Sequence, residues 1–154
     1  MIEISTLDKT YTLSVEMDPV AKQRPRFNTY SKATYTPSKT KNAEKEIAIA
    51  YINKFGKTLL KGPIEMTVIC EYKVPKSYTK KKKSLAKDGL LPKLTSPDVD
   101  NLSKTALDAL NKIAYEDDKQ VISLLSTKRY AVDNAPRVLI EIKEVAYGEN
   151  PKRS

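Results

Sequence analysis

Apolar and polar residues alternate most clearly in two places. Ile64, Met66, Val68, Cys70 and Tyr72 alternate with Glu65, Thr67, Glu71 and Lys73, and Val138, Ile140 and Ile142 alternate with Arg137, Leu139, Glu141 and Lys143. A period of two marks a strand with one face on a core and the other toward water. Tyr11, Leu13, Val15 and Met17 repeat the pattern, and Met1–Thr6 is a candidate partner for that strand. Lys119–Ala131 carries Val121, Ile122, Leu124 and Leu125, and the turn signal Asp133-Asn134-Ala135-Pro136 predicts a hairpin with Arg137–Val145. Two stretches follow the helical period instead. Ala43, Ile47, Ala50 and Tyr51 share one face of a helix that starts near Pro37, is capped by Ser38 or Thr40, runs to about Lys54 and is terminated by Gly56. Leu102, Ala106, Ala109, Leu110 and Ile113 form the apolar face of a second helix, with Asn101, Lys104, Asp108 and Asn111 on its other side. The predicted fold is α/β (α+β): a mixed, largely antiparallel sheet with two main helices packed on it. A chain of 154 residues suits one domain over 1–154, with a basic flexible segment at 76–89 and a polar tail at 148–154.

Charge narrows the partners. Lys and Arg number 28 against 19 Asp and Glu, a net +9, and such a field favours polyanions. Apolar runs such as Ile47–Ile52 are too short to span a bilayer, and Met1-Ile2-Glu3-Ile4 lacks the features of a signal peptide, so no membrane role and a cytoplasmic location are expected. Cys70 is the sole cysteine, which excludes an internal disulfide; in mid-strand it reads as a small buried hydrophobe. With no histidine, zinc sites and serine triads are disfavoured.

The carboxylates are not spread evenly. Between Asp98 and Asp118 there are six acids (Asp98, Asp100, Asp108, Glu116, Asp117, Asp118) and two bases (Lys104, Lys112), a local −4 in a basic chain. Pro97 disfavours helix at Ser96, so Asp98-Val99-Asp100 reads as extended, with both aspartates on one face and Asp100 as N-cap. Lys104 falls in the first turn, where the helix dipole favours anions, and its side chain leans back toward the aspartates. A strand folding back after the helix would bring Asp118 beside them. Two carboxylates about 5 Å apart repel by roughly 3 kcal/mol at an effective dielectric near 20, so such a cluster calls for a shared proton or a cation. Oxygen ligands alone suit Mg²⁺ or Mn²⁺, and beside DNA that chemistry is metal-assisted phosphodiester hydrolysis. Each acid also has a plainer role. Asp100 can be only a cap, Asp98 an Asx-turn, Asp117-Asp118 a loop pair, and Asp108 a salt-bridge partner of Lys104 or Lys112. An EF-hand fails because Leu102 and Ser103 stand where that loop needs an oxygen ligand and glycine.

Two basic segments supply candidate DNA contacts. Lys22, Arg24 and Arg26 are interleaved with Phe27, Tyr30 and Tyr35, pairing cations for phosphates with rings for stacking. Lys80, Lys81, Lys82 and Lys83 form a run that is either a solvated segment or a clamp on DNA phosphates.

The motif Pro97-Asp98-Val99-Asp100-Asn101-Leu102-Ser103-Lys104, then Asp108-Ala109-Leu110, then Asp117-Asp118-Lys119-Gln120, resembles the RusA-type Holliday junction resolvases over some 25 residues. A weaker likeness lies at Arg24-Pro25-Arg26-Phe27 and Tyr35-Thr36-Pro37. The resemblance implies a RusA-like domain and a Mg²⁺-dependent, homodimeric endodeoxyribonuclease that cuts four-way DNA junctions in recombination and repair. It further implies Asp98, Asp100 and Asp118 as metal ligands and Lys104 as the catalytic lysine. Beside them, Asn101 either orients a ligand or merely occupies the first helical turn, and Asp117 is a supporting neighbour or an alternate ligand. Two alternatives stand beside it: a non-catalytic protein that binds branched DNA, and a nuclease of the same chemistry acting on flaps or forks.

Overall fold

The computed structural model describes residues 9–35 and 37–146. Ten elements follow one another: β1 (Lys9–Glu16), β2 (Arg26–Asn28), β3 (Ala33–Tyr35), α1 (Ser38–Phe55), β4 (Ile64–Tyr72), α2 (Lys80–Lys87), α3 (Val99–Leu110), a 3₁₀ turn (Asp118–Gln120), β5 (Val121–Tyr130) and β6 (Arg137–Glu144). The main sheet runs β1-β6-β4-β5, with β2 and β3 paired as a separate small ribbon. β6 is antiparallel to both β1 and β4, whereas β5 runs parallel to β4. The fold is therefore the expected mixed sheet, with a third, short helix.

The core lies between one face of the sheet and helices α1 and α3. Leu13 and Val15 of β1, Val138, Ile140 and Ile142 of β6 and Ile64, Met66, Val68 and Cys70 of β4 meet Ile47 and Tyr51 of α1 and Leu102, Ala106, Ala109 and Leu110 of α3. These are the residues that the two periodicities select. Burial pushes the Cys70 thiol up to about 12, which fits a packing residue and not a nucleophile.

β5 and β6 do not form the expected hairpin, because β4 lies between them. The turn residues are engaged elsewhere. The Ala131 amide donates to the Tyr72 carbonyl (2.8 Å) and the Val74 amide donates to Asn134 Oδ1 (2.8 Å), so the turn passes over the end of β4. β4 is the most apolar strand and gains most from a neighbour on each side. Asn134 has φ 57, a left-handed conformation that asparagine tolerates.

Local corrections have similar causes. α1 begins at Ser38 with Pro37 as N-cap and no side-chain cap; Thr40 is fully buried, and its hydroxyl accepts from the Gln23 amide (3.3 Å). Gly56 does end the helix, at φ 74. Lys76–Gly89, expected to be flexible, contains α2, capped by Thr79 Oγ1 accepting from the Lys82 amide (3.2 Å). Ala86 of α2 buries itself beside Val74 and Tyr130. The basic loop before α1 contains the β2–β3 hairpin, whose turn is held by Asn28 Oδ1 accepting from the Tyr30 and Ser31 amides. The proposed Met1–Thr6 strand and the tail at 148–154 lie outside the described residues.

Candidate active site

The acidic segment spans α3 from end to end. α3 starts at Val99, so Asp98 is its N-cap, with extended φ −74 and ψ 144, and Asp100 lies in its first turn. This corrects the expected cap at Asp100 and the expected extended Asp98-Val99-Asp100: the helix begins one residue after Asp98 because Leu102 already buries its side chain on the sheet. Asp98 makes no side-chain capping bond, and Asp98, Asp100 and Lys104 are exposed. Lys104 therefore falls in the second turn, one turn beyond Asp100 on the same side of the helix. Asn101 is half-buried, and its carbonyl accepts from the Lys22 amide (2.8 Å).

Asp117 and Asp118 stand past the other end of α3. The Asp118 amide donates to Asn111 Oδ1 (3.2 Å), which fastens the 3₁₀ turn to the helix C-terminus. Asp117 caps that turn, accepting from the Lys119 amide (2.9 Å), while its own amide donates to Gln120 Oε1 (2.9 Å). Gln120 Nε2 donates to the carbonyls of Leu60 (2.7 Å) and Gly62 (2.9 Å), anchoring the turn to the chain entering β4. The last residue of the Asp-Asp-x-Gln motif is thus a structural clamp.

Electrostatics separate the two neighbouring acids. The hydrogen bond from the Lys119 backbone holds the Asp117 carboxyl below its ordinary value. Asp118 is raised by desolvation first, then by its hydrogen bond with Asp117 and by the charges of Asp117 and Asp108. Negative charge at this end of α3 is under-compensated.

Asp98 and Asp118 are not neighbours within one chain. From Val99 to Asn111, twelve residues at 1.5 Å rise, the α3 axis covers roughly 18 Å. Strand β5 returns alongside in the opposite direction, with Ser126 Oγ donating to the Val99 carbonyl (2.8 Å). The strand's far end, not its start, adjoins Asp98, which overturns the expectation that folding back joins the three aspartates. Among the described residues no three acidic, histidine or cysteine side chains are gathered to cage a metal. The donor chemistry nevertheless fits a hard divalent cation, since the candidates are exposed carboxylates with no competing nitrogen or sulfur ligand.

The expected DNA-binding residues divide. Lys22 is turned inward, its ammonium 2.5 Å from Glu44 Oε1 and 3.0 Å from Asp108 Oδ2. Burial opposes its charge, but those two carboxylates outweigh burial and raise its pKa. Lys22 therefore braces the hairpin against α1 and α3, and Asp108 pairs with it instead of with Lys104 or Lys112. Arg24 and Arg26 are exposed near the hairpin, as are Phe27 (58%), Tyr30 (97%) and Tyr35 (46%), a geometry suited to stacking on bases. Lys80, Lys81 and Lys82 are exposed on α2 and Lys83 half-buried; Lys82 Nζ sits 4.5 Å from the Tyr78 ring centroid.

The RusA family model, described as endodeoxyribonuclease RusA, matches residues 16–143, from the end of β1 to β6. The chain belongs to the RusA endodeoxyribonuclease family. It is thus a member of a family of DNA endonucleases that act on Holliday junctions. It is also 38% identical over 133 residues to uncharacterized protein YqaN of Bacillus subtilis (strain 168), covering 84% of this chain and 92% of YqaN. The RusA match contains the acidic segment, the hairpin and α2 together. Among the described residues no helix is long and apolar enough to cross a membrane.

Several supporting residues carried no signal in the sequence. Asn111, Ser126, Lys93 and Lys128 look like ordinary surface polar residues, and only their tertiary partners give them a role. Lys93 has its pKa lowered by burial and by the adjacent charge of Lys128. Gln120 was part of the motif, yet its three hydrogen bonds are invisible without the path of Leu60–Gly62.

Proposed function

We propose that this protein is a Mg²⁺-dependent endonuclease that resolves four-way DNA junctions as a homodimer, each active site drawing carboxylates from both copies. The observation that carries this reading is the placement of Asp98 and Asp100 at one end of α3 and Asp118 at the other. Two exposed aspartates at a helix start leave coordination positions that water, substrate phosphate and a carboxylate from a second copy can fill.

β5 is the natural place for a second copy to join. It is an edge strand, and its first seven residues, Val121–Thr127, carry no charge. Ile122, Leu124 and Leu125 are exposed by 61%, 42% and 60%. Edge strands are ordinarily protected by charge, proline or a covering element, so an uncharged apolar edge suits pairing with another strand. Two-fold symmetry makes that pairing antiparallel. The start of each β5, with Asp117 and Asp118, then faces the end of the other, where Ser126 and Lys128 adjoin Thr95–Val99. Arg129 near that end is taken up by Glu71 Oε2 (2.9 Å) of its own chain.

In this arrangement Asp98 and Asp100 of one copy and Asp118 of the other hold Mg²⁺, with Mn²⁺ able to replace it. Bound there, the ion supplies Lewis-acid stabilisation of the scissile phosphate and its attacking water. Lys104, one turn from Asp100, places a cation against charge developing on that phosphate. Asn101 and Asp117 support the neighbouring ligands. Arg24 and Arg26 and the lysines of α2 grip flanking phosphates, while Phe27, Tyr30 and Tyr35 offer stacking surfaces.

The test is cleavage of a labelled four-way junction with and without Mg²⁺, using wild type and Asp100→Asn. Paired, metal-dependent cuts that vanish in the variant while binding persists support the reading. Binding without cutting in Mg²⁺ or Mn²⁺ moves it to a non-catalytic branched-DNA binder, and preferential cutting of flaps or forks changes the substrate. Mixing tests the shared site. Asp100→Asn and Asp118→Asn are each inactive, but their heterodimer retains one intact composite site and recovers single-strand nicking. No recovery on mixing, or a strictly monomeric protein at micromolar concentration, rejects the shared site.

A further inference from the structure

The segment that carries Asp98 is held in an unusual way. Thr95–Asp98 is an irregular, mostly exposed stretch that leads into α3 at Val99, yet all five carbonyls from Thr95 to Val99 have partners. Lys128 Nζ donates to Thr95 O (2.7 Å) and Pro97 O (2.9 Å). Lys93 Nζ donates to Ser96 O (3.1 Å) and also to Thr95 Oγ1 (2.8 Å). Asp98 O accepts from the Leu102 amide (3.3 Å) in α3, and Val99 O accepts from Ser126 Oγ (2.8 Å). Three side chains thus account for four of the five carbonyls.

We infer that Lys128, Lys93 and Ser126 are positioning residues that set the orientation of Asp98 and Asp100 in the metal site; this rests on the functional reading above. The peptide plane before Asp98 is fixed through Pro97 O by Lys128. The plane after it is fixed through Asp98 O by α3. The plane leading into Asp100 is fixed through Val99 O by Ser126. A carboxylate can be aimed only as well as its backbone is held, and misplacement of a ligand by about 1 Å can cost on the order of 100-fold in rate. Hydrogen bonds from ammonium groups are stronger than neutral ones, which suits an exposed segment without strand pairing.

The lysines are themselves constrained. Lys93 Nζ lies 4.5 Å from the Tyr72 ring centroid and 5.8 Å from that of Tyr130, so two rings share its charge. The Tyr130 hydroxyl is 3.0 Å from that of Tyr78. Lys128 is half-buried and uses its ammonium on two carbonyls, so it is committed to the protein and not to DNA phosphate. Both Ser126 and Lys128 come from β5, the strand whose free edge is proposed to receive the second copy, so the surface that pairs and the segment that carries Asp98 are directly joined.

The experiment compares Lys128→Met, Lys128→Arg and Ser126→Ala with wild type in three measurements. Amide hydrogen exchange of the metal-free protein reads the hold on the segment without reference to activity. In Lys128→Met the amides from Asp98 to Lys104 should exchange at least about ten-fold faster while β4 and β6 are unchanged. Mg²⁺ dependence of cleavage should show the half-saturating concentration raised by about 10–100-fold, with the maximal rate partly restored at saturating Mg²⁺. Junction affinity without metal should be unchanged. Lys128→Arg, which can still donate to two carbonyls, should stay near wild type, and Ser126→Ala should fall between. The inference is overturned if Lys128→Met exchanges and responds to Mg²⁺ as wild type does, or if its main defect is lost junction affinity. If wild type itself neither cuts nor binds metal, the functional reading fails, while hydrogen exchange still decides whether the clamp holds this segment.

Discussion

Gln120 offers the sharpest test of how the acidic turn is built. Its side chain accepts from the Asp117 amide (2.9 Å) and donates to Leu60 O (2.7 Å) and Gly62 O (2.9 Å). Gln120→Ala deletes all three bonds. At about 0.5–1.5 kcal/mol net for each bond, and with water reaching part of this half-buried site, the loss comes to about 2–3 kcal/mol. For a domain of this size that is a Tm lower by about 5–10 °C. Gln120→Glu separates the donor from the acceptor. It keeps an oxygen for the Asp117 amide but sets a carboxylate against two carbonyls and beside Asp117. At neutral pH it should cost at least as much as alanine. The new carboxyl is disfavoured as an anion in the folded state, so its folded pKa is raised. The excess penalty is therefore present above that pKa and disappears as pH falls through it, when the protonated acid can donate one bond. Urea unfolding of the three proteins at neutral and acidic pH measures these values. If Gln120→Ala stays within about 1 kcal/mol of wild type, or Gln120→Glu matches wild type at neutral pH, the turn is not held by these bonds.

Other predictions follow from the same contacts. Because desolvation, and then Asp117 and Asp108, raise Asp118, its ionisation costs stability as pH rises through its folded pKa, so metal-free Asp118→Asn should melt higher than wild type at neutral pH and equal to it well below the ordinary carboxylate value of about 3.9. Equal melting at neutral pH would show that the acidic pair carries no penalty, and millimolar Mg²⁺ should narrow the gap by stabilising wild type alone. Replacing Lys80, Lys81 and Lys83 with glutamine should lower the slope of log affinity against log salt by about 2–3 for junction binding. An unchanged slope would return the α2 lysines to an ordinary solvated face. Asn134→Ala should lose about 1–3 kcal/mol in urea unfolding, since it leaves the Val74 amide without its acceptor and places alanine at φ 57.

The sequence by itself determined the main strands, the two long helices and the family. Period-two runs in β1, β4 and β6 and the period-3.6 faces of α1 and α3 are local consequences of which side chains must leave water, and each reappears at the core. The acidic motif, the absence of histidine and the excess of lysine and arginine are properties of composition and spacing, so membership of an endodeoxyribonuclease family was legible before any fold. Pairing was not. A turn signal after β5 says that the chain reverses, but only the strong apolar demand of β4 for two neighbours decides that β6 lands beyond it. Charged residues were equally ambiguous in one dimension. Lys22 and Arg24 look alike in the sequence, yet one lies between Glu44 and Asp108 and the other is exposed, because the chain before the hairpin runs along α3. Lys93, Ser126 and Lys128 acquire their role only where β5 passes the start of α3. The separation of Asp98 from Asp118 likewise follows from the length of α3 and the direction of β5, both fixed by packing. Spacing along a chain names the groups available for chemistry; distances between them are set by the tertiary fold.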